Sequence, residues 1–342
     1  MAVMPTLFFG GGHAQVSQTV DPPGRLLVAH SGADLYLEAL RRRFPALEVA
    51  VCRRAEELAR VLDESEPEIV YSCVTADFPR LAHRPILDAP RLRWLHVGGS
   101  GYEHFAGWQD RAFDMTNGRG VLAGFQADTV IGAILALNQN LHLFEQQRAR
   151  RLFAARTFAP LAGQRLLVVG AGAIGGEVAK RARALGLVTM AASRRAGPLP
   201  HFDVVHPLDD LEEVVGDADI VSLHLPLVDE TRHLFDEAML ARLRDDALLV
   251  NTARGAILDE AALVRTLAHG RLRGVYLDVF EEEPLPPQSP LWSHEKVLLS
   301  PHCADQVADW PQRHAAFFMD NLERRLSGRP LRNLVRRAPP GR

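Results

Sequence analysis

The sequence predicts an α/β protein built from two doubly wound parallel-sheet domains. Three observations carry that expectation. Apolar runs of strand length alternate with segments of helical periodicity along most of the chain. The alternation comes in two series, separated by a long helical stretch. The second series opens on three spaced glycines between a strand pattern and a helix pattern. Strands that alternate with helices form parallel sheets with helices on their faces.

The first good strand follows Pro22, Pro23 and Gly24, so residues 1–24 read as a loose extension. Their start, "MAVMPTLFFGGGHAQ", has a short apolar stretch with no basic run before it, which argues against a secretory signal. Strands are expected at "RLLVAH" (25–30), "LEVAV" (47–51), "EIVYS" (68–72) and "LRWLHV" (92–97). "GADLYLEALRRRF", between the first two, has its apolar residues at helical spacing. A helix is expected from about Ala127 to Ala155, long enough to bridge two lobes, and Pro160 and Gly163 punctuate the chain after it. The second series has six strands: "RLLVVG" (165–170), "LVTMAAS" (187–193), "DIVSLHLP" (219–226), "ALLVNTA" (247–253), "GVYLDVF" (274–280) and "VLLSP" (297–301). The last helix, "QRHAAFFMDNLERRLSG", has no strand after it and is expected to pack back on the first domain. The expected division is therefore 1–124 with 305–342, and 125–304.

A chain of 342 residues has room for two such domains. A formal charge of −3 argues against nucleic-acid binding driven by phosphate contacts. No apolar run is long enough to span a bilayer. Cys52, Cys73 and Cys303 are scattered, with no CxxC or Cys/His cluster to suggest a metal. Free thiols in a reducing, cytoplasmic setting are the plain reading.

Gly170, Gly172 and Gly175 form G-x-G-x-x-G after an apolar strand, and "AIGGEVAKRARAL" continues as an amphipathic helix from Ala173 and Ile174. Gly170 allows a sharp turn, Gly172 lets a pyrophosphate approach the backbone, and Gly175 lets helix and strand pack closely. The helix N-terminus adds free N–H groups and a positive dipole end. This is a Rossmann-type nucleotide turn. Its second strand should end in an acid that holds a ribose 2′-hydroxyl; here it ends in Ser193, Arg194 and Arg195. Two guanidinium groups and a hydroxyl suit a 2′-phosphate, which favours NADP(H), with NAD(H) as the alternative. The bland reading of the pair is two solvated surface charges.

"NTARG" (251–255), "DVFEEEP" (278–284) and "SPHC" (300–303) each end a strand, at the edge where open α/β sheets bind ligands. Arg254, Glu283 and His302 could converge there beside a nicotinamide ring. Taken singly, each has a duller explanation: a turn, a solvated acidic run (as Glu281 and Glu282 read), or a loop residue after proline.

Together with the glycine turn, these stretches resemble the D-isomer-specific 2-hydroxyacid dehydrogenases, from about Leu92 to the last helix. "SLHLPLVDETRHLFDEAML" (222–240) is similar to a stretch that the family uses near its cofactor. The resemblance implies a Rossmann-type cofactor domain with a flavodoxin-like substrate domain. It implies hydride transfer between the nicotinamide and a small 2-oxo or D-2-hydroxy acid. His302 would be the acid and base, Glu283 its orienting carboxylate, and Arg254 the partner of the substrate carboxylate. Leu225, Pro226, Thr252, Ala253 and Asp278 would border the cofactor, although a buried acid such as Asp278 could equally cap or brace a loop. In "HVGGSGYEHF" (96–105), the amides of Ser100 and Gly101 would bind the substrate carboxylate. The family usually dimerises through the cofactor domain, and "HLFEQQRARRLF" reads as an interdomain or subunit contact. Glu103 and Asp128 stand where the family commonly has Asp and Glu, and "RTFAPLAG" lacks its frequent Trp. Reduction of glyoxylate or hydroxypyruvate is the leading expectation. Phosphoglycerate- or phosphite-type dehydrogenation, or a cofactor-sensing corepressor-like role, share the same triad.

Overall fold

The two series of apolar runs form two sheets, and the strands in each pair only with parallel neighbours. The computed structural model describes residues 24–195 and 197–335, so the extension expected over 1–24 lies, but for Gly24, outside the described residues. The chain divides into one unit that runs to Gly118 and resumes at His314, and a second that takes Arg119–Arg313. The crossings expected at 124/125 and 304/305 both fall inside the second unit.

The first unit contains β1 (Arg25–Ala29), α1 (Asp34–Arg43), β2 (Glu48–Cys52), α2 (Leu58–Ser65), β3 (Ile69–Ser72), β4 (Trp94–Val97) and β5 (Asp114–Asn117). The order β2-β1-β3-β4-β5 reverses direction between β1 and β3, as in flavodoxin-like sheets. β5, "DMTN", escapes sequence reading because Met115 is its one apolar residue; Met115 and Thr116 are nonetheless fully buried. Leu27, Val70, Leu95, Phe78 and Phe105 share a core on one face of the sheet.

The second unit begins with α3 (Ala123–Asn138) and α4 (Leu141–Ala149). The single helix expected over 127–155 is thus broken. Asn140 takes a left-handed backbone (φ 60°) that a continuous helix cannot contain, and the helix stops at Ala149, before Arg151 turns left-handed as well (φ 54°). Next come β6 (Arg165–Val169), α5 (Ala173–Ala184), β7 (Val188–Ser193), β8 (Val204–Pro207), the short α6 (Leu211–Val214), β9 (Ile220–Leu223) and α7 (Glu237–Arg242). β10 (Leu248–Asn251), α8 (Glu260–Ala268), β11 (Gly274–Leu277) and β12 (Val297–Leu299) complete the sheet, in the order β12-β11-β10-β9-β6-β7-β8. It has seven strands rather than six. The extra one, β8, is a half-exposed edge strand, "VVHP", whose two valines lead straight into His206 and Pro207. Each face carries its own apolar layer, one around Leu167, Val221 and Leu249, the other around Leu166, Ile220 and Leu248. That alternation explains why these strands read as continuous apolar runs.

The last helix, α9 (Trp310–Leu326), closes the first unit from His314 onward. Phe318 stacks on Tyr71 with ring centroids 4.6 Å apart, so the helix packs on the first sheet as its apolar face suggests. Among the described residues no helix is long and apolar enough to cross a membrane.

Candidate active site

The direction of the seven-stranded sheet reverses between β6 and β9, and the glycine turn leaves β6 at that point. Gly170 has φ 102°, and a Cβ there would lie 2.7 Å from the His224 carbonyl oxygen, so this position accepts only glycine. Gly175 sits under the Gly170 carbonyl and against Val168, where a side chain would force helix and strand apart. Gly172 faces open space instead. Of the three, it is the one that leaves room for a ligand at the N-terminus of α5, where Ala173 and Ile174 begin the helix.

β7 ends in Ser193, whose Oγ accepts a hydrogen bond from the Arg195 N–H at 3.1 Å. Arg194 and Arg195 are exposed, and among the described residues neither guanidinium is paired. Leu225 and Ala253 are buried and Pro226 is exposed, on the loops after β9 and β10. Two buried polar atoms on these loops have no partner among the described residues: His224 Nδ1 and Thr252 Oγ1. Burial pushes the His224 imidazole down to about 3. A dinucleotide fits this edge, with space at Gly172, a helix N-terminus, free cations beyond β7 and an unmatched hydroxyl beyond β10.

Arg254, Glu283 and His302 leave β10, β11 and β12 on the same edge. His302 Nδ1 and Glu283 Oε2 are 2.8 Å apart. The carboxylate is acceptor-only, so the ring donates from Nδ1 and Nε2 is left for chemistry. Glu283 Oε1 accepts from the Phe280 N–H at 3.1 Å, which fixes the carboxylate in turn. The Arg254 guanidinium donates to the Ala253 carbonyl at 2.7 Å.

Asp278 braces the histidine loop. It is 2% exposed; its Oδ1 accepts from Ser300 Oγ at 2.5 Å and from the Cys303 N–H at 2.9 Å, and its Oδ2 accepts from the Ala304 N–H at 3.1 Å. The His302 N–H donates to the Asp278 carbonyl at 2.8 Å. These bonds hold His302 at φ 51°, a left-handed conformation uncommon for a residue with a Cβ. The bracing alternative for this buried acid is the one visible in the fold.

Three residues escaped sequence reading. Asp305 lies three positions after the histidine; burial raises its carboxyl, His302 and Arg254 draw it back down, and Asp278 pushes it up. Arg254 and His302 therefore share one electrostatic neighbour. Gly255 is the second: a Cβ there would overlap the Phe280 carbonyl and the Glu281 amide, so the Arg254 and Glu283 loops touch backbone to backbone. The signal was present, because the glycine follows Arg254 directly, but its packing partner is distant in sequence. The third is Glu281, grouped with Glu282 as solvated. Both are exposed, as the acidic run suggests, but Glu281 also bonds to Glu260 and faces His233.

In the first unit, Ser100 and Gly101 follow β4 in the loop 98–101. Asn117 Nδ2 donates to the Ser100 carbonyl at 2.8 Å, and the Gly118 N–H donates to the Gly99 carbonyl at 2.8 Å. The loop's carbonyls thus point inward, and among the described residues the Gly99, Ser100 and Gly101 amides have no acceptor.

Comparison with known proteins places the chain in a family. Residues 131–304 match the model of the D-isomer specific 2-hydroxyacid dehydrogenase NAD binding domain. A glyoxylate reductase of Korarchaeum cryptofilum is 33% identical over 268 residues, 74% of this chain and 80% of that protein. A glyoxylate/hydroxypyruvate reductase B of Klebsiella pneumoniae is 31% identical over 72% of this chain and 79% of its own length. The match to a glyoxylate reductase of Aeropyrum pernix is 40% identical but spans about half of each chain, 52% and 53%. Among solved structures, an Aeromonas salmonicida D-isomer specific 2-hydroxyacid dehydrogenase family protein superimposes with a TM-score of 0.80 at 27% identity, covering 92% of this chain and 99% of that one. A Xanthobacter autotrophicus Py2 D-isomer specific 2-hydroxyacid dehydrogenase, solved with NADPH and MES, gives 0.76 at 26% identity, covering 92% and 98%. The family model over 131–304 and these relatives show the family: the chain belongs to the D-isomer specific 2-hydroxyacid dehydrogenases, which are oxidoreductases.

Proposed function

We propose that the chain reduces a small 2-oxo acid, glyoxylate or hydroxypyruvate, to its D-2-hydroxy acid, with NADPH preferred over NADH. The observation that carries the reading is the His302–Glu283 pair at 2.8 Å, on the sheet edge that also presents Arg254 and the glycine turn. Bound nicotinamide supplies the hydride. Glu283 keeps a proton of His302 on Nδ1, so Nε2 is the nitrogen that gives a proton to the carbonyl oxygen as it becomes a hydroxyl. In the oxidative direction the same nitrogen takes that proton back. Arg254 pairs with the substrate carboxylate and polarises the carbonyl. The Ser100 and Gly101 amides offer a further set of carboxylate donors.

Ala173, Ile174, Leu225, Pro226, Thr252, Ala253 and Asp278 are our candidates for the cofactor's border. Ser193, Arg194 and Arg195 are our candidates for a 2′-phosphate site; their open charge, and the NADPH bound to the Xanthobacter protein, support the preference. The names of the Korarchaeum and Klebsiella relatives support the substrate class. We further propose a cytoplasmic homodimer joined through the cofactor domain. Three free thiols suit a reducing compartment. Leu141, Phe144, Leu152, Phe153 and Phe158 expose a run of apolar side chains on the second unit that a second copy could cover.

The test is a panel of 2-oxo acids with both reduced nicotinamides. Glyoxylate or hydroxypyruvate should consume NADPH at a catalytic rate, and faster than NADH at equal concentration. Failure to oxidise either cofactor with any 2-oxo acid would refute the reading.

A further inference from the structure

Two separate loops carry the groups assigned to the reaction: the β10–α8 loop holds Arg254 and the loop after β11 holds Glu283. Glu281 and Glu260 join them in both directions. Glu281 Oε1 accepts from the Glu260 N–H at 2.9 Å, and Glu260 Oε1 accepts from the Glu281 N–H at 2.5 Å. Glu281 Oε2 faces His233 Nε2 at 3.3 Å. His233 is tied to the Arg254 side of this junction, since its N–H donates to the Ala256 carbonyl at 2.8 Å. Beneath the bonds, the Gly255 Cα rests on the Phe280–Glu281 peptide with no space for a side chain.

Helix capping accounts for only half of the pair: Glu281 takes the Glu260 N–H, a free amide in the first turn of α8, but the Glu281 N–H that Glu260 takes belongs to no helix. Asp259 already caps α8, its carboxylate accepting from the Ala262 N–H at 2.8 Å. The arrangement is also unfavourable for charge. Burial raises the Glu260 carboxyl, and Glu281 and Glu283 raise it further, against the lowering effect of the Glu281 N–H. Three carboxylates gathered this way need a structural return, and the return available is the register of the two loops.

We propose that Glu281 and Glu260 are positioning residues: their reciprocal clasp, closed over Gly255, sets the spacing between Arg254 and the Glu283–His302 pair. The inference rests on the reductase reading of those three residues. Arg254 holds the acid end of a short, stiff substrate, and Nε2 of His302 must meet an oxygen on the adjacent carbon. A slack clasp leaves Arg254 able to bind the carboxylate but misplaces the proton donor. Misregister of that kind lowers kcat more than it raises KM.

The experiment compares Glu281→Ala, Glu281→Gln and Gly255→Ala in the full chain, by steady-state kinetics and by amide hydrogen exchange. Glu281→Ala and Gly255→Ala should each lower kcat by about tenfold or more, with KM for the 2-oxo acid and for NADPH within about twofold. Glu281→Gln keeps an acceptor for the Glu260 N–H and should restore kcat to within about threefold of the parent. Exchange over 254–260 and 280–283 should quicken together in Glu281→Ala, while Cys303 and Ala304, held by Asp278, stay protected. Exchange needs no turnover, so a parent protein inactive on every 2-oxo acid would end the reductase reading and still leave the clasp to be judged. If Glu281→Ala does not fold, Glu281→Asp, one methylene short of Glu260, carries the same expectations. Parental kcat with unchanged exchange in the alanine variant, or equal impairment of the alanine and glutamine variants, would overturn the proposal.

Discussion

At the first sheet, His30 bonds Tyr36 Oη at 2.7 Å, His83 bonds Ser72 Oγ at 2.8 Å and His96 bonds Thr116 Oγ1 at 2.7 Å. At the second, His302 bonds a carboxylate, Asp278 grips a loop, and Arg254 and Asp305 lie nearby. Both sheets are parallel and both end their strands in polar groups, yet one gathers buried imidazoles while the other, besides the buried His224, gathers charged side chains. Burial makes the difference. His30, His83, His96 and His314 are at most 4% exposed, and burial pushes His30, His83, His104 and His314 down to about 4 and His96 to about 3. The His302 side chain keeps 34% of its surface open beside an anion. His224 of the second unit is buried like them and pushed down to about 3, so exposure beside a carboxylate, rather than the choice of sheet, sets His302 apart.

The strongest way to break this contrast is to remove charge from the second edge. His302→Ala and Arg254→Ala should each lower kcat/KM for the 2-oxo acid by about a thousandfold. The Kd for NADPH and the melting temperature should stay near parental values. Activity within tenfold of the parent in either variant would mean that the edge is misassigned.

The converse is to force charge onto the first edge. Unfolded histidines titrate near 6.5, whereas these five stay neutral to about 4 or below while folded. In that window the unfolded chain binds protons that the folded unit refuses, so stability is full above about 6.5 and falls as the pH drops toward 4. Each such group contributes about 1.4 kcal/mol per pH unit there. Melts taken from pH 7 to pH 5 should drop steeply, and the near-UV signal of Trp94 and Trp108, both buried in the first unit, should be lost first. A flat melting temperature across that range would show that the imidazoles gain protons without unfolding.

The smallest expected effect sharpens the comparison at β7, where charge stands without a partner. Arg194→Ala with Arg195→Ala should raise KM for NADPH by about tenfold or more and leave KM for NADH within about twofold. Equal changes for both cofactors would assign the pair to the solvated surface.

Most of this arrangement was legible in the chain. Gly170, Gly172 and Gly175 announce themselves because a nucleotide turn needs glycine at a fixed spacing between a strand and a helix. Arg254, Glu283 and His302 are legible because each ends an apolar run. What hid was tertiary. Glu281 looks solvated beside Glu282, and only the fold brings Glu260 to it. Gly255 looks like an ordinary turn residue until Phe280 arrives from another strand. β5 has one apolar residue and β8 only two valines ahead of His206 and a proline, and neighbouring strands recruit them. Asn140 breaks the long helix through a backbone angle that apolar periodicity does not encode.

One consequence concerns synthesis on the ribosome. Phe318 completes the stack on Tyr71, Asn321 accepts the Arg332 N–H at 2.8 Å, and Leu334 bridges to Thr116. The unit translated first thus needs the segment from His314 onward, which emerges only after all of Arg119–Arg313. The cofactor unit is continuous in sequence and complete once Arg313 has emerged, whereas its neighbour, with all five of its strands already made, still lacks α9.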